Sequence, residues 1–187
     1  MVEFIKFSKI PRLSRDIIIT EKIDGTNANI TITEEGEFLT GSRNRWIMPE
    51  DDNHGFSKWA QEHKEELLKL GAGSHYGEWW GNGIQRAYGL PKDDKRVSLF
   101  NSGRWVKDSA IPLQDKQEYC PECCGVVPIL YHGMFETQSI AGVLDELKTL
   151  GSMASKGFMQ PEGIVIYHIK ARVYFKKTIE KDDEHKG

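Results

Sequence analysis

Short stretches with strand character recur along this chain, and only two stretches carry a helical period. Ile17-Ile18-Ile19 is an apolar run of the kind that makes a short buried strand. Asn29-Ile30-Thr31-Ile32-Thr33 alternates apolar and polar residues, the mark of a half-buried strand. Glu34-Glu35-Gly36-Glu37 turns the chain, and Phe38-Leu39-Thr40 returns as a hairpin. Residues 76–81, 96–101, 126–131, 161–167 and 172–177 continue the series. One helix is expected over residues 56–70, with Phe56, Trp59, Ala60, His63, Leu67 and Leu70 on one face and Gly71 as its C-terminal cap. A second is expected from Thr137 as cap, with Ile140, Val143, Leu144, Leu147 and Leu150 inward and Gly151 ending it. A doubly wound sheet needs a helix between successive strands, and this order lacks them. The expected class is α+β, with mainly antiparallel sheets flanked by helices.

A chain of 187 residues is enough for one domain with a sizeable core, and residues 1–187 are read as one domain without an accessory domain. With 25 basic and 28 acidic residues the net charge is −3, which denies a strong global pull on polyanions but not a local basic groove. No apolar stretch approaches a membrane span, and the start of the chain lacks the apolar core of a signal peptide. The expected location is therefore cytoplasmic, without a membrane partner. Cys120, Cys123 and Cys124 form an odd, clustered trio, unlike a secreted disulfide framework. A zinc site would use Cys120 with Cys123 or Cys124, and His132, but a second knuckle is missing. Small buried side chains ahead of the strand at 126–131 are the preferred reading. Residues 1–16 carry Lys6, Lys9, Arg12 and Arg15 and read as a solvated lead-in. Residues 82–95 read as an irregular loop, and 107–125 as a polar surface excursion.

Several chemically suggestive side chains sit at or near strand ends: Lys22, Arg43, Glu78, Phe100, Glu162 and Lys176. Lys22 follows the strand of isoleucines and precedes a turn at Gly25. Most such lysines are solvated, but one held at a strand end and freed of its proton is a nucleophile. Glu78 lies among apolar neighbours, where a lone carboxylate is costly, so it pairs locally or faces a ligand or metal. Arg43 and Arg45 beside Gly41-Ser42 are either a phosphate clamp or surface charge. A nucleophilic lysine, cations, two carboxylates and an aromatic ring together fit nucleotidyl transfer.

The order Lys22-Ile23-Asp24-Gly25, Ser42-Arg43, Tyr76-Gly77-Glu78, Leu99-Phe100, Glu162-Gly163-Ile164-Val165 and Phe175-Lys176-Lys177 resembles the ordered motifs of the covalent nucleotidyltransferases. These are the ATP-dependent DNA ligases, RNA ligases and mRNA capping enzymes, and Asn27 after Gly25-Thr26 resembles the RNA ligase 2-like branch. The resemblance covers residues 20–178 and implies a nucleotidyltransferase (ATP-grasp-like ligase adenylation) domain. It implies that Lys22 attacks the α-phosphorus of ATP to form lysyl-AMP, with Mg²⁺ or Mn²⁺ held by Glu162. It further implies that Glu21 contacts adenine, Arg43 the nucleotide and later a polynucleotide 5′-phosphate, and Glu78 the ribose. Phe100 would stack on adenine, Lys176 would contact the α-phosphate, and Asn27 would help place the attacking groups. The implied partners are RNA or nicked duplex ends bearing a 5′-phosphate and a 3′-hydroxyl. Arg12, Arg15, Arg43, Arg45 and Arg86 are then candidates to line a polynucleotide groove. In the last motif Lys176 is favoured over Lys177 as the residue facing the site, and Thr178 stands where relatives often have a second lysine. Asp24 is assigned no catalytic role. The alternatives weighed are a minimal DNA ligase, a capping-type guanylyltransferase, and a non-catalytic module that binds nucleotide or nucleic-acid ends.

Overall fold

The run of isoleucines does form a buried strand, β1 (Asp16–Lys22), and it lies inside a sheet rather than at an edge. The computed structural model describes residues 2–106 and 120–180. Following β1 are β2 (Thr26–Ile32), β3 (Phe38–Gly41), β4 (Trp46–Ile47), β5 (Gly73–Gly81), β6 (Lys95–Leu99) and β7 (Cys124–Val126). Then come β8 (Ile129–Met134), β9 (Gly163–His168) and β10 (Val173–Thr178). One sheet has four strands in the order β10-β9-β1-β8, and the other has six in the order β4-β3-β2-β5-β6-β7. Every pairing between these strands is antiparallel except β6 with β7. The expected α+β class with antiparallel sheets is what the described residues form.

Where the sequence reads as one strand at 126–131, the chain makes two strands that belong to different sheets. Pro128 has no N–H to donate to a ladder, so a continuous strand is broken there. The break is used. The Val127 N–H donates to Leu99 O at 3.1 Å on the six-stranded side, and Pro128 O accepts from the Glu21 N–H at 2.9 Å on the other. The crossing between the sheets is thereby tied to the residue before Lys22.

The first helical stretch is also divided, into α1 (Phe56–Glu62), α2 (Lys64–Leu67) and a 3₁₀ turn over Leu68–Leu70. The division falls at His63, which leaves helical geometry at φ −105°, ψ 14°. Its ring stacks on Trp59 at 4.7 Å, and its Nδ1 donates to Trp59 O at 2.9 Å, so the expected inward helical position becomes a local cap. A further short helix, α3 (Ser102–Trp105), replaces the extension of strand expected beyond Leu99. The long helix α4 (Thr137–Leu150) begins at Thr137 itself, without a side-chain cap, and buries Val143, Leu144 and Leu147. Leu150, expected inward, is 62% exposed because the helix ends there at Gly151, whose φ is 84°.

The six-stranded sheet packs its Ala28, Ile30, Ile32, Trp79, Val97 and Leu99 against α1, α2 and the 3₁₀ turn, through Phe56, Ala60, Leu67 and Leu70. The four-stranded sheet packs Ile17, Ile19, Ile164 and Ile166 against α4. Each sheet therefore has one face covered by helices, and the other faces are left to form the site between them. Cys124 is buried in the larger core, with Cys120 and Cys123 packed against it. Burial pushes the Cys123 thiol up to about 11 and Cys124 higher still, away from the thiolate a zinc ligand needs. Among the described residues no cluster of three or more His, Cys, Asp or Glu is placed to hold a metal, and no helix is long and apolar enough to cross a membrane. Most of the expected excursion at 107–125 lies outside the described residues.

Candidate active site

Strand alternation sends Ile17, Ile19 and Glu21 to the α4 side of β1, and Ile18, Thr20 and Lys22 to the other. That other side is one wall of a cleft of about 640 Å³. Lys22, Asn27, Glu78, Phe100, Val165 and Tyr76 all border it, although they come from both sheets. Asn27 lies directly across from Glu78 in the β2–β5 ladder, so this pair is fixed by strand register. Phe100 is held just past β6 by its N–H, which donates to Tyr76 O at 2.9 Å.

Lys22 stands opposite Gly163 in the β1–β9 ladder, and its ammonium is ion-paired with Glu162, 140 residues away in sequence. Both partners are largely but not wholly covered, at 24% and 18% exposure. The close approach depends on glycine. A Cβ on Gly163 would stand 2.3 Å from Lys177 O and 2.7 Å from the Thr178 Cα, so any side chain there forces β9 and β10 apart. Lys176 pairs with Val165 and so shares the cleft face, with an exposed side chain, while Lys177 pairs with Ile164 on the α4 face. The register thus puts Lys176, not Lys177, on the face of β10 that continues the cleft wall.

Glu78 is the most perturbed carboxyl at the site. Burial pushes it up to about 7 from an ordinary 4.5, against the pull of Lys22 and of the Gly25 N–H, which donates to its Oε1 at 3.1 Å. The negative charges of Glu162 and Asp24 push in the same direction as burial. The Lys22–Gly25 turn passes so close to β5 that a Cβ on Gly25 would lie 2.5 Å from Trp79 O. Glycine is needed there for approach, and the approach is what brings its N–H to Glu78.

Three expectations are corrected. Glu21 borders the cleft, but its carboxylate turns to the opposite side of β1. There it accepts from Ser152 Oγ at 2.6 Å, Met153 N at 2.8 Å and Ala154 N at 3.0 Å. With 1% exposure the side chain has no route to a nucleotide, and it serves to tie the loop after α4 to the strand that carries Lys22. Arg43 does not line the cleft; it is exposed on the turn between β3 and β4. Arg45 and Arg86, taken as groove candidates, are committed to carboxylates: Arg45 to Asp51, and Arg86 to Asp24 at 3.0 Å.

Tyr88 is the residue that sequence reasoning missed, and Arg86 has a place other than the groove expected for it. Arg86 joins Asp24, in the Lys22–Gly25 turn, to Gln160 O, 3.1 Å away, two residues before Glu162. Tyr88 is fully buried, and its hydroxyl accepts from the Asp24 N–H at 2.9 Å and donates to Lys22 O at 3.5 Å. Its own carbonyl accepts from Ser155 Oγ at 2.7 Å, and its ring packs on Phe158 and Trp80. Gln85, Ala87 and Tyr88 all have left-handed φ, at 43°, 56° and 51°. Each such residue costs about 1–3 kcal/mol and persists only where its surroundings over-determine it. The contacts of Arg86 and Tyr88 are those surroundings. No local motif signals this segment, because its partners lie more than 60 residues away.

The comparisons with known proteins bear on this geometry. The RNA ligase family profile matches residues 15–181. The chain belongs to the RNA ligase family. Solved structures of Naegleria gruberi RNA ligase mutants share its fold. One with ATP and Mn has a TM-score of 0.61 at 17% identity, covering 90% of this chain and 51% of that one. An apo form has a TM-score of 0.60 at 19% identity, covering 88% and 50%. A third, with AMP and Mn, has a TM-score of 0.58 at 16% identity, covering 89% and 50%. The chain therefore spans about half the length of these structures. No curated protein matches it. The family match includes every element that borders the cleft, and the fold likeness is to the nucleotidyltransferase architecture expected from the motifs.

Proposed function

We propose that this chain is an ATP-dependent RNA ligase that works through a lysyl-AMP intermediate on Lys22. The observation that carries the reading is the Lys22–Glu162 ion pair, which brings Glu162 to the edge of the cleft where Lys22 meets Asn27, Glu78 and Phe100. Strands of both sheets are needed to assemble that set. The fold similarity to RNA ligases solved with ATP or AMP and Mn supports the same ligand class here.

The residues divide the work by position. Phe100 and Val165 offer apolar surface on the cleft for a purine ring, and the Asn27–Glu78 pair offers polar groups for a ribose. Lys176, on the same face, supplies positive charge for the α-phosphate. The donor set suits a hard divalent cation: a lone carboxylate at Glu162, with phosphates completing the shell, is the way Mg²⁺ and Mn²⁺ are commonly held beside nucleotides. When bound, such an ion supplies charge neutralisation on the phosphates. Glu162 is then both the counter-charge that holds Lys22 before nucleotide binds and the carboxylate that would hold the ion.

An ammonium has no lone pair, so Lys22 must release a proton before its Nζ attacks the α-phosphorus. The N–P bond forms as the bond to pyrophosphate breaks, and pyrophosphate leaves. An oxygen of an RNA 5′-phosphate then displaces Lys22 from AMP. Finally a 3′-hydroxyl attacks that 5′-phosphorus, AMP departs, and the strand is joined. Tyr88 and Arg86 hold the backbone of the Lys22–Gly25 turn during these steps.

The test is purified protein with Mg²⁺ and ATP labelled at the α-phosphate, read by intact mass and on a denaturing gel, beside Lys22→Ala. A label that stays on the wild type through denaturation and is absent from Lys22→Ala is the expected result. No adduct with any divalent ion or nucleotide would sink the reading. Nicked RNA and DNA substrates then separate RNA from DNA joining.

A further inference from the structure

Ahead of β1 the chain repeats an apolar-any-basic unit four times: Phe4-Ile5-Lys6, Phe7-Ser8-Lys9, Ile10-Pro11-Arg12 and Leu13-Ser14-Arg15. This segment lies outside every helix and strand until Asp16. Its apolar members are not packed into the protein: Phe4 is 89% exposed, Phe7 82% and Ile10 81%. The segment is nonetheless anchored at its root. Leu13 O accepts from His168 Nε2 at 2.8 Å, and Arg15 O accepts from Phe135 N at 2.9 Å.

The turn between β9 and β10 lies against the same root, with the Ile169 N–H donating to Asp16 O at 3.1 Å. Arg15, Lys170 and Arg172 line a shallow concavity of about 460 Å³ there, with Asp16. Arg15, Lys170 and Arg172 thus meet at one end of the four-stranded sheet, Lys6, Lys9 and Arg12 precede Arg15 on the exposed segment rooted there, and none of the six is in an ion pair among the described residues. Arg45, Arg86 and Arg96, by contrast, each pair with an aspartate. Residues 2–15 hold four cations and one carboxylate in a chain of net −3, so the remainder stands at −6.

We propose that this end of the sheet, the triplet segment together with Lys170 and Arg172, binds the backbone of a single-stranded RNA whose end reacts in the cleft. The proposal rests on the ligase reading above. β1 runs from this end to Lys22, a span of roughly 20 Å at about 3.3 Å per residue. Several nucleotides of a strand bridge that distance, whereas a mononucleotide at Lys22 is held by the cleft alone. The cations recur at every third residue of the segment, and so do Phe4, Phe7, Ile10 and Leu13, so that each apolar side chain has a cation two residues on. Cations then meet phosphates and the aromatic rings meet unpaired bases, the usual combination for single strands.

The test compares wild type with Lys6→Gln/Lys9→Gln/Arg12→Gln/Lys170→Gln, and with a control of equal charge loss elsewhere, Lys58→Gln/Lys69→Gln/Lys92→Gln/Lys148→Gln. Affinity for a fluorescent 5′-phosphorylated single-stranded oligoribonucleotide is measured across a salt series. Removing four phosphate contacts is expected to flatten the slope of log affinity against log salt by about 3, so wild type loses about 50-fold more affinity than the variant between 50 and 200 mM salt. The control keeps the wild-type slope. A variant that retains the wild-type slope, or a control that flattens as much, overturns the proposal; the first result would leave the apolar edge to a protein partner. Lysyl-AMP formation from ATP alone is measured on the same three proteins and is expected to be equal. Its absence from all three would defeat the ligase reading while leaving the RNA-binding comparison intact.

Discussion

Glu78 gives the sharpest thermodynamic test of the site. Its carboxyl is raised from 4.5 to about 7 in the folded protein, chiefly by burial. Between those values the folded state holds a proton that the unfolded state has released. Stability must therefore fall as pH rises through this window. The cost grows from about 1 kcal/mol at pH 5 to about 3 kcal/mol at pH 8, beyond which it is constant. Glu78→Gln removes the titration while keeping an oxygen to accept from the Gly25 N–H. The variant should gain on wild type by about 2.5 kcal/mol between pH 5 and pH 8. Urea unfolding of the ligand-free proteins, followed by tryptophan fluorescence at each pH, reads this directly. If the difference between the two proteins is the same at pH 5 and pH 8, within about 0.5 kcal/mol, the carboxyl is not held neutral by the fold and the argument fails.

Tyr88→Phe keeps the ring and removes the hydroxyl, leaving the Asp24 N–H without its acceptor, and should cost about 1–3 kcal/mol in denaturant midpoint analysis. Arg86→Lys preserves charge but not the fork that spans Asp24 and Gln160 O; lysyl-AMP formation should slow about 10–100-fold with the KM for ATP little changed, and an unchanged rate would remove Arg86 from the positioning scheme. Glu21→Gln sets an amide nitrogen against donors that now share a carboxylate, and a loss of about 1–3 kcal/mol in the same unfolding assay is expected. Gly163→Ala forces β10 from β9 and should cost about 1–3 kcal/mol, with a slower adenylylation rate measured alongside.

The strand ladder around Lys22 was legible because alternation and apolar runs are local properties. Ile17-Ile18-Ile19 had to be buried, and the residues after it had to turn. The same locality let the motif order mark Lys22, Asn27, Glu78, Phe100 and Glu162, which the fold brings to one cleft or to its edge. Strand period let only one of Lys176 and Lys177 share the site's face, and the pairing with Val165 puts Lys176 on it.

Other features depend on what meets what. Pro128 was visible in the sequence, but only the tertiary structure decides that the chain changes sheets there. Glu21 and Lys22 are neighbours with opposite fates, one locked into the loop at Ser152, the other facing Glu162; which face of β1 met which element was not written locally. Arg86 and Tyr88 gain their meaning from partners more than 60 residues away, and Tyr88 does so in a left-handed backbone geometry that its residue type disfavours. Local pattern determines where a strand runs and which residues share its face, because period follows from backbone geometry. Which faces oppose each other, and so which charges are paired and which remain available, is set by long-range packing and hydrogen bonding, and that the fold alone decided.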